Sequence, residues 1–171
     1  SRGRVFLTCA NKQGTQRGLY CYDRKTGKEL WKQVVAFSKV EPTHKTNPYG
    51  ASSPVTDGQR VVVWHGSAGL FCYDHSGKLQ WKIDPGDVTH IWGYASSPVI
   101  YNDRVFLHHG PGVQTFMLAV SLSNGKQLWK TEEPGGANDR DPRMVASFST
   151  PVVAKVGGTD QLICSMATRV A

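Results

Sequence analysis

A stretch of fifteen residues, GLYCYDRKTGKELWK at 18–32, returns as GLFCYDHSGKLQWK at 69–82 and more loosely as TFMLAVSLSNGKQLWK at 115–130. Each copy is a short apolar run, a polar turn ending in Gly-Lys, and a strand that carries one tryptophan. Trp31, Trp81 and Trp129 stand 50 and 48 residues apart. Self-similarity at such a period constrains the fold more than any single motif, because one repeat unit cannot bury its apolar faces alone and must stack on its neighbours.

The segments between the copies complete the unit. GASSPV at 50–55 is echoed by YASSPV at 94–99 and more weakly by SFSTPV at 147–152. Pro54, Pro98 and Pro151 lie in these runs. Proline removes a ladder donor and is tolerated at the start or the edge of a strand, so each run is expected to form the first part of a strand at a sheet margin. Tight turns at Asp57-Gly58, Asn102-Asp103 and Gly157-Gly158 then lead into RVVVWH, RVFLHH and QLICSM; Asp-Gly and Gly-Gly are short-hairpin signals. One unit therefore reads as four antiparallel strands of 44 to 53 residues overall. Most strands are apolar on both faces, so each sheet is expected to be covered on two sides. The pattern predicts an all-β partial β-propeller of four-stranded antiparallel blades. About 3.3 blades of a larger ring are expected: an incomplete blade at 1–35, full blades at 50–84 and 94–132, and an incomplete blade at 147–171. The two partial blades both contain a second strand and cannot complete each other, so a longer propeller is expected. The chain starts at Ser1 with no basic or signal-like segment, and any targeting peptide is expected to lie outside it.

Charge bears on partners. The 20 Lys and Arg against 13 Asp and Glu leave +7, a value that invites a nucleic-acid reading. Nine of the basic residues are locked to the repeat: Lys28, Lys78 and Lys126 after the turn glycine, Lys32, Lys82 and Lys130 after the tryptophan, and Arg4, Arg60 and Arg104 at the head of one strand. A nucleic-acid footprint wants its cations on one face, so no nucleic-acid partner is expected. No apolar run approaches the ~20 residues of a membrane helix, and no membrane span is expected. Cys9, Cys21, Cys72 and Cys164 show no metal spacing. Cys21 and Cys72 occupy the slot of Ala119, a small buried strand position, which makes disulfides and metal ligation unexpected.

The spacing C-Y-D-R-K-T-G-K-E-L-W resembles the A-x-D-x-x-T-G-x-x-x-W repeat of the PQQ-like, quinoprotein-type β-propeller family. The phrasing SSPV, GSAGLFCYD and WGYASSPV is closest to that of uncharacterised extracytoplasmic PQQ-like proteins of planctomycete-type bacteria. The resemblance covers the whole chain, with a turn one residue shorter in the second copy and Ser121 in place of the turn aspartate in the third. It implies that Trp31, Trp81 and Trp129 dock between neighbouring blades, with Asp23 and Asp74 heading the turns, and that the protein is periplasmic or extracellular. The family contains PQQ-dependent alcohol and glucose dehydrogenases, the outer-membrane assembly lipoprotein of the Bam complex, and many members without an assigned role. Its motifs therefore fix the fold and leave function to the site.

In such propellers the loops after the second and fourth strands share one face around the central channel. His44, Tyr49, His90, Trp92, Tyr94 and Arg140 fall in fourth-strand loops, and His65 and His109 end second strands, at the place Cys9 takes in the first copy. These are the candidate channel-face binding residues. Imidazole and phenol groups at repeated positions also serve to satisfy backbone groups where blades meet, and both roles stay open. A PQQ dehydrogenase would need a cofactor held and tuned by the protein, with a carboxylate base. The family's alcohol dehydrogenases use adjacent cysteines and a Glu/Asn/Asp set around Ca²⁺. Here no Cys-Cys pair occurs, Trp92 is a floor by position only, and Asp87, Glu132, Asp139 and Asp141 are unpaired in the sequence. No catalytic residue, cofactor or metal site is assigned. The expected function is a non-catalytic binding or assembly scaffold whose channel-face loops contact a protein partner or the remainder of the propeller. The alternatives are a segment of a PQQ- and Ca²⁺-dependent alcohol or sugar dehydrogenase whose catalytic residues lie elsewhere, or a small-ligand or glycan binder that stacks on Trp92, Tyr94 and Tyr49.

Overall fold

The computed structural model describes residues 1–112, 114–132 and 147–166. Their thirteen strands form four antiparallel sheets in sequence order. The first holds β1 (Arg4–Ala10), β2 (Gln16–Asp23) and β3 (Glu29–Ala36). The second holds β4 (Val55–Thr56), β5 (Arg60–Trp64), β6 (Leu70–Asp74) and β7 (Leu79–Ile83). The third holds β8 (Val99–Tyr101), β9 (Arg104–His109), β10 (Phe116–Ser121) and β11 (Gln127–Glu132). The last pairs β12 (Val152–Val156) with β13 (Thr159–Ile163). The fold is a partial β-propeller of four-stranded antiparallel blades, with one 3-10 turn at Gly66–Ala68.

Alternation along the middle strands explains why they read as apolar on both faces. Successive side chains of a strand point to opposite sides. In β5 and β6, Val61, Val63, Phe71 and Tyr73 pack with Leu19, Phe6, Trp31 and Val35 of the first sheet. Their neighbours Val62, Trp64, Leu70 and Cys72 pack with Val105, Leu107, Phe116, Leu118 and Val120 of the third. Met117 then meets Leu162 of the last sheet and Cys164 and Met166 just beyond it. Each side chain so buried contributes roughly 1.5–3 kcal/mol, and only stacked sheets supply two such seams to one strand.

The repeated turn has a local cause. Asp23 Oδ1 accepts from the amides of Lys25 and Thr26 and from Thr26 Oγ1 at 2.8–2.9 Å. Asp74 Oδ1 accepts from Ser76 N, Ser76 Oγ and Lys78 N at 2.8, 2.6 and 3.1 Å. These bonds favour the carboxylate and hold both groups below the usual aspartate range, through the Thr26 amide first for Asp23 and the Ser76 hydroxyl first for Asp74. Cys21, Cys72 and Ala119 stand directly across from Trp31, Trp81 and Trp129, and the register slips by one immediately after each. This repeated bulge leaves a small residue under each indole.

Two of the indoles reach the next blade. Trp31 Nε1 donates to His75 O and Trp81 Nε1 to Leu122 O, both at 2.9 Å. The rings lie on the turn glycines Gly77 and Gly125, where a Cβ would stand 2.9 and 2.8 Å from ring carbons. Trp81 is 8 % exposed, whereas Trp129, beside Phe106, is 38 % exposed.

The Ser-Ser-Pro runs differ from the reading of the sequence. Pro54, Pro98 and Pro151 precede their strands, which begin at Val55, Val99 and Val152 and do lie at the sheet margin. The residues before the strand bond between blades instead of within a ladder. Ser53 N donates to Ser97 Oγ at 2.9 Å, and Ser97 N to Thr150 Oγ1 at 3.0 Å. Thr8 Oγ1 lies 2.8 Å from the carbonyls of Gly50 and Ser52. In the second and third motifs the second hydroxyl, on Ser97 and Thr150, thus accepts the amide of the preceding blade. β2 also begins earlier than the apolar pattern suggests, which places Arg17 in the strand and not in the loop before it.

Candidate functional site

The connections β3–β4 and β7–β8 meet the β5–β6 turn at one end of the sheets, around a buried ion pair. Arg17 Nη1 lies 3.0 Å from Glu41 Oε1, with both side chains 1 % exposed. Arg17 also donates to His65 O at 2.5 Å and, through Nε, to Gly14 O at 3.1 Å. Its guanidinium sits over the rings of Phe37 and Tyr49, 4.6 and 4.9 Å from their centroids. Glu41 Oε2 accepts Ser67 N at 2.7 Å, and Ser67 Oγ accepts Val88 N at 2.7 Å. A buried pair stabilises only when its remaining donors and acceptors are met, and here backbone groups from several segments meet them. Gly66, at φ +60°, fits against this cluster because a Cβ there would stand 2.4 Å from the Tyr94 ring and 2.9 Å from both Arg17 Nη1 and Glu41 Oε2.

A second set of bonds ties the two connections together. Tyr49 OH donates to Glu41 O at 3.0 Å and Tyr94 OH to Tyr49 O at 2.5 Å. Asn47 Nδ2 donates to Trp92 O at 2.6 Å and to Tyr94 O at 3.1 Å. Burial pushes the Tyr94 phenol well above its usual range, so it stays a donor.

Above this framework lies a cavity of about 500 Å³ lined by His44, Thr46, Asn47, Trp92, Ala95 and Phe148. Trp92 is 43 % exposed and the adjacent Ile91 47 %. His90 meets Trp92 and Phe148 edge-on, at ring separations of 5.4 and 5.9 Å, and its Nδ1 accepts Trp92 N at 3.2 Å. His44 Nδ1 lies 2.8 Å from Thr46 Oγ1. The lining is aromatic with amide and hydroxyl groups. It suits an apolar or aromatic group inserted beside hydrogen-bonding edges.

The structure divides the candidate residues. His44 and Trp92 line the cavity and His90 backs it. Tyr49 and Tyr94 belong to the buried framework below. His65 is fully buried beside Phe71, and neither ring nitrogen has a hydrogen-bond partner among the described residues. Burial first, and then the Arg17 charge, hold its pKa at about 3, so the ring is neutral. His109 stacks on Phe116 at 4.4 Å, with Nδ1 3.0 Å from Gln114 O and Nε2 3.3 Å from Gly86 O; it links the β9–β10 loop to the β7–β8 connection. Arg140, with Asp139 and Asp141, lies outside the described residues. The four cysteines are free thiols, and among the described residues no three His, Cys, Asp or Glu side chains gather as a metal site. No described helix is long and apolar enough to cross a membrane.

Arg17, Glu41 and Ser67 do not stand out in the sequence. The one signal is a break in the repeat: Arg17 stands where the other copies carry Ala68 and Thr115, so a long cation replaces a small residue beside the core.

Comparison with known proteins agrees with this architecture. The solved structure of BamB from Moraxella catarrhalis superposes with a TM-score of 0.62 at 18 % identity, over 95 % of this chain and 47 % of that one. A europium-containing methanol dehydrogenase gives 0.59 at 14 % identity, over 85 % and 25 %. The quinohemoprotein alcohol dehydrogenase from Comamonas testosteroni gives 0.55 at 14 % identity, over 76 % and 19 %. The chain thus spans between a fifth and a half of these proteins, and at such identities the likeness is one of fold. No curated protein matches the chain. A family model described as outer membrane protein assembly factor BamB, PQQ_2, matches residues 1–170, and with the tryptophan-bearing blades above it the chain belongs to that PQQ-like propeller family.

Proposed function

We propose that the chain is part of an extracytoplasmic, non-catalytic binding or assembly scaffold whose channel-face loops receive a protein partner. The observation that carries this is the Trp92 cavity. A half-exposed indole, met edge-on by His90 and carried on a backbone whose carbonyl accepts from Asn47 Nδ2, borders a cavity of about 500 Å³. Pre-ordered aromatic anchors of this kind dominate protein–protein interfaces, and little conformational freedom is lost when a partner inserts against them. The family described as an outer membrane assembly factor supports the scaffold class. The donor set of the cavity does not fit pyrroloquinoline quinone with calcium. That quinone carries three carboxylates and asks for cations, while calcium asks for six to eight oxygens including carboxylates. Here the buried guanidinium and carboxylate are spent on each other, and the lining offers imidazole, indole, phenyl, amide and hydroxyl.

The test is quantitative affinity purification of the full-length protein. The partner should be recovered with wild type, fall at least tenfold with Trp92→Ala, and persist with Leu128→Ser on the outermost strand. Equal recovery with Trp92→Ala would overturn the reading. So would a wild-type protein that binds PQQ with Ca²⁺ and reduces an electron-accepting dye with alcohols.

A further inference from the structure

The aromatic cavity is built from two connections that share no ladder hydrogen bonds with each other, 37–54 and 84–98, plus Phe148 from a third. Loops of this length in a propeller need something other than a sheet to fix them. The Arg17–Glu41 pair lies at the point from which those fixings radiate. Glu41 belongs to the first connection, and Arg17 anchors it to β2, to Gly14 and to His65 of the β5–β6 turn. Through Glu41 Oε2 the same carboxylate orders Ser67, whose hydroxyl holds Val88 at the root of the second connection. Through the Glu41 carbonyl it receives Tyr49, and Tyr49 in turn receives Tyr94. Both routes end at the 88–94 segment that carries Trp92. The first sheet is thereby linked to the cavity across the whole second sheet.

We infer that Arg17 and Glu41 are positioning residues for the Trp92 cavity: the pair sets the relative placement of the two connections, and with it the shape that a partner meets. This rests on the proposed use of that cavity. The chemistry explains why an ion pair is used where an apolar pair would suffice for packing. Removing two charges from water costs several kcal/mol each, which apolar side chains of similar volume avoid, but apolar side chains cannot hold the Ser67 amide, the His65 and Gly14 carbonyls and one another at fixed angles. The planar guanidinium and the two-oxygen carboxylate do so from a single point.

The experiment uses the full-length protein and hydrogen exchange, with the Ser67 and Val88 amides as reporters because their acceptors are side-chain oxygens of this network. Single variants leave a buried charge unpaired and are expected to lower folding yield. The decisive variant is therefore the double replacement Arg17→Met with Glu41→Leu, which is apolar and similar in volume. The expected result is exchange at least tenfold faster at Ser67, Val88 and the 88–94 amides, with the protection of β5, β6, β9 and β10 unchanged. Trp92→Ala, by contrast, should leave exchange at Ser67 and Val88 as in wild type. Unchanged exchange at the reporters in the double variant would overturn the inference. An equal rise across the strands would also overturn it, by reducing the pair to a stability element. If a partner is recovered, the double variant should weaken it at least tenfold, and undiminished binding with loosened loops would count against a positioning role. Failure of the scaffold reading itself would appear as Trp92-independent recovery, which the exchange measurement does not touch.

Discussion

Replacing Gly125 by alanine in the full-length protein should destabilise it by two separable amounts. At φ +73° an L side chain strains the backbone, at roughly 1–2 kcal/mol. The new Cβ would also stand 2.8 Å from the Trp81 ring, and overpacking a seam of this kind costs about 1–3 kcal/mol. Trp81→Ala alone removes an indole that is 8 % exposed and donates to Leu122 O, a loss of roughly 3–5 kcal/mol. The two changes should not add. Once the indole is gone the steric part of the glycine change disappears, so the double variant should be about 1–3 kcal/mol better than the sum. Gly58→Ala is the control, since Gly58 has φ +95° with its nearest neighbour at 3.5 Å; it should show the backbone part alone and add to Trp81→Ala. Urea unfolding followed by far-UV circular dichroism reads wild type, the three single variants and the two doubles. Additivity of Gly125→Ala with Trp81→Ala within about 0.5 kcal/mol would refute the seating of the indole on the turn glycine.

Acid should weaken the fold through His65. Its folded pKa of about 3 lies below the ordinary histidine value of 6.5, so the unfolded chain binds the extra proton between these values. Stability is full above pH 6.5 and falls as pH drops toward 3, by on the order of 2 kcal/mol at pH 5; His65→Phe should flatten that slope, and an unchanged slope would count against a neutral buried imidazole. Tyr94→Phe removes the part-buried bond to Tyr49 O and should cost about 1 kcal/mol, seen as a lowered urea midpoint; no shift would contradict the framework. Ser97→Ala removes the acceptor for Ser53 N and should cost about 1 kcal/mol, with faster exchange at the Ser53 amide. Protection at Ser53 equal to wild type would count against the hydroxyl belt between blades.

The fold was legible because its cause is local and repeated. The Asp23 and Asp74 turns, the small residue opposite each indole and the two-sided apolar strands all lie within a dozen residues of one another, and three copies make the period plain. The Ser-Ser-Pro motif was legible as a recurrence but not as a role. Its bonds run to the next blade, 44 and 53 residues away; the sheet margin that proline indicates is right, but the run approaches the strand instead of forming its first part. The candidate site was half visible. His44 and Trp92 were marked by type and loop position, and the structure brings both to one cavity. His65 and His109 were marked by the same reasoning and are buried against Phe71 and Phe116, since a residue that ends a middle strand is covered by the connection above it. Arg17 and Glu41 escaped because a cation before an apolar run and an acid just ahead of a proline each look like ordinary solvated charges. Only their meeting across 24 residues makes them a framework.

The most direct measurement places an aromatic photo-crosslinking residue, which keeps a ring where the indole stands, at position 92 of the full-length protein in cells, beside the same residue at position 128 on the outermost strand. If the aromatic cavity is the working surface, irradiation yields one discrete protein adduct from position 92, lost when Phe148→Ala and His44→Ala are introduced together, and none from position 128. Adducts from position 128 alone, or from neither position, would contradict the account.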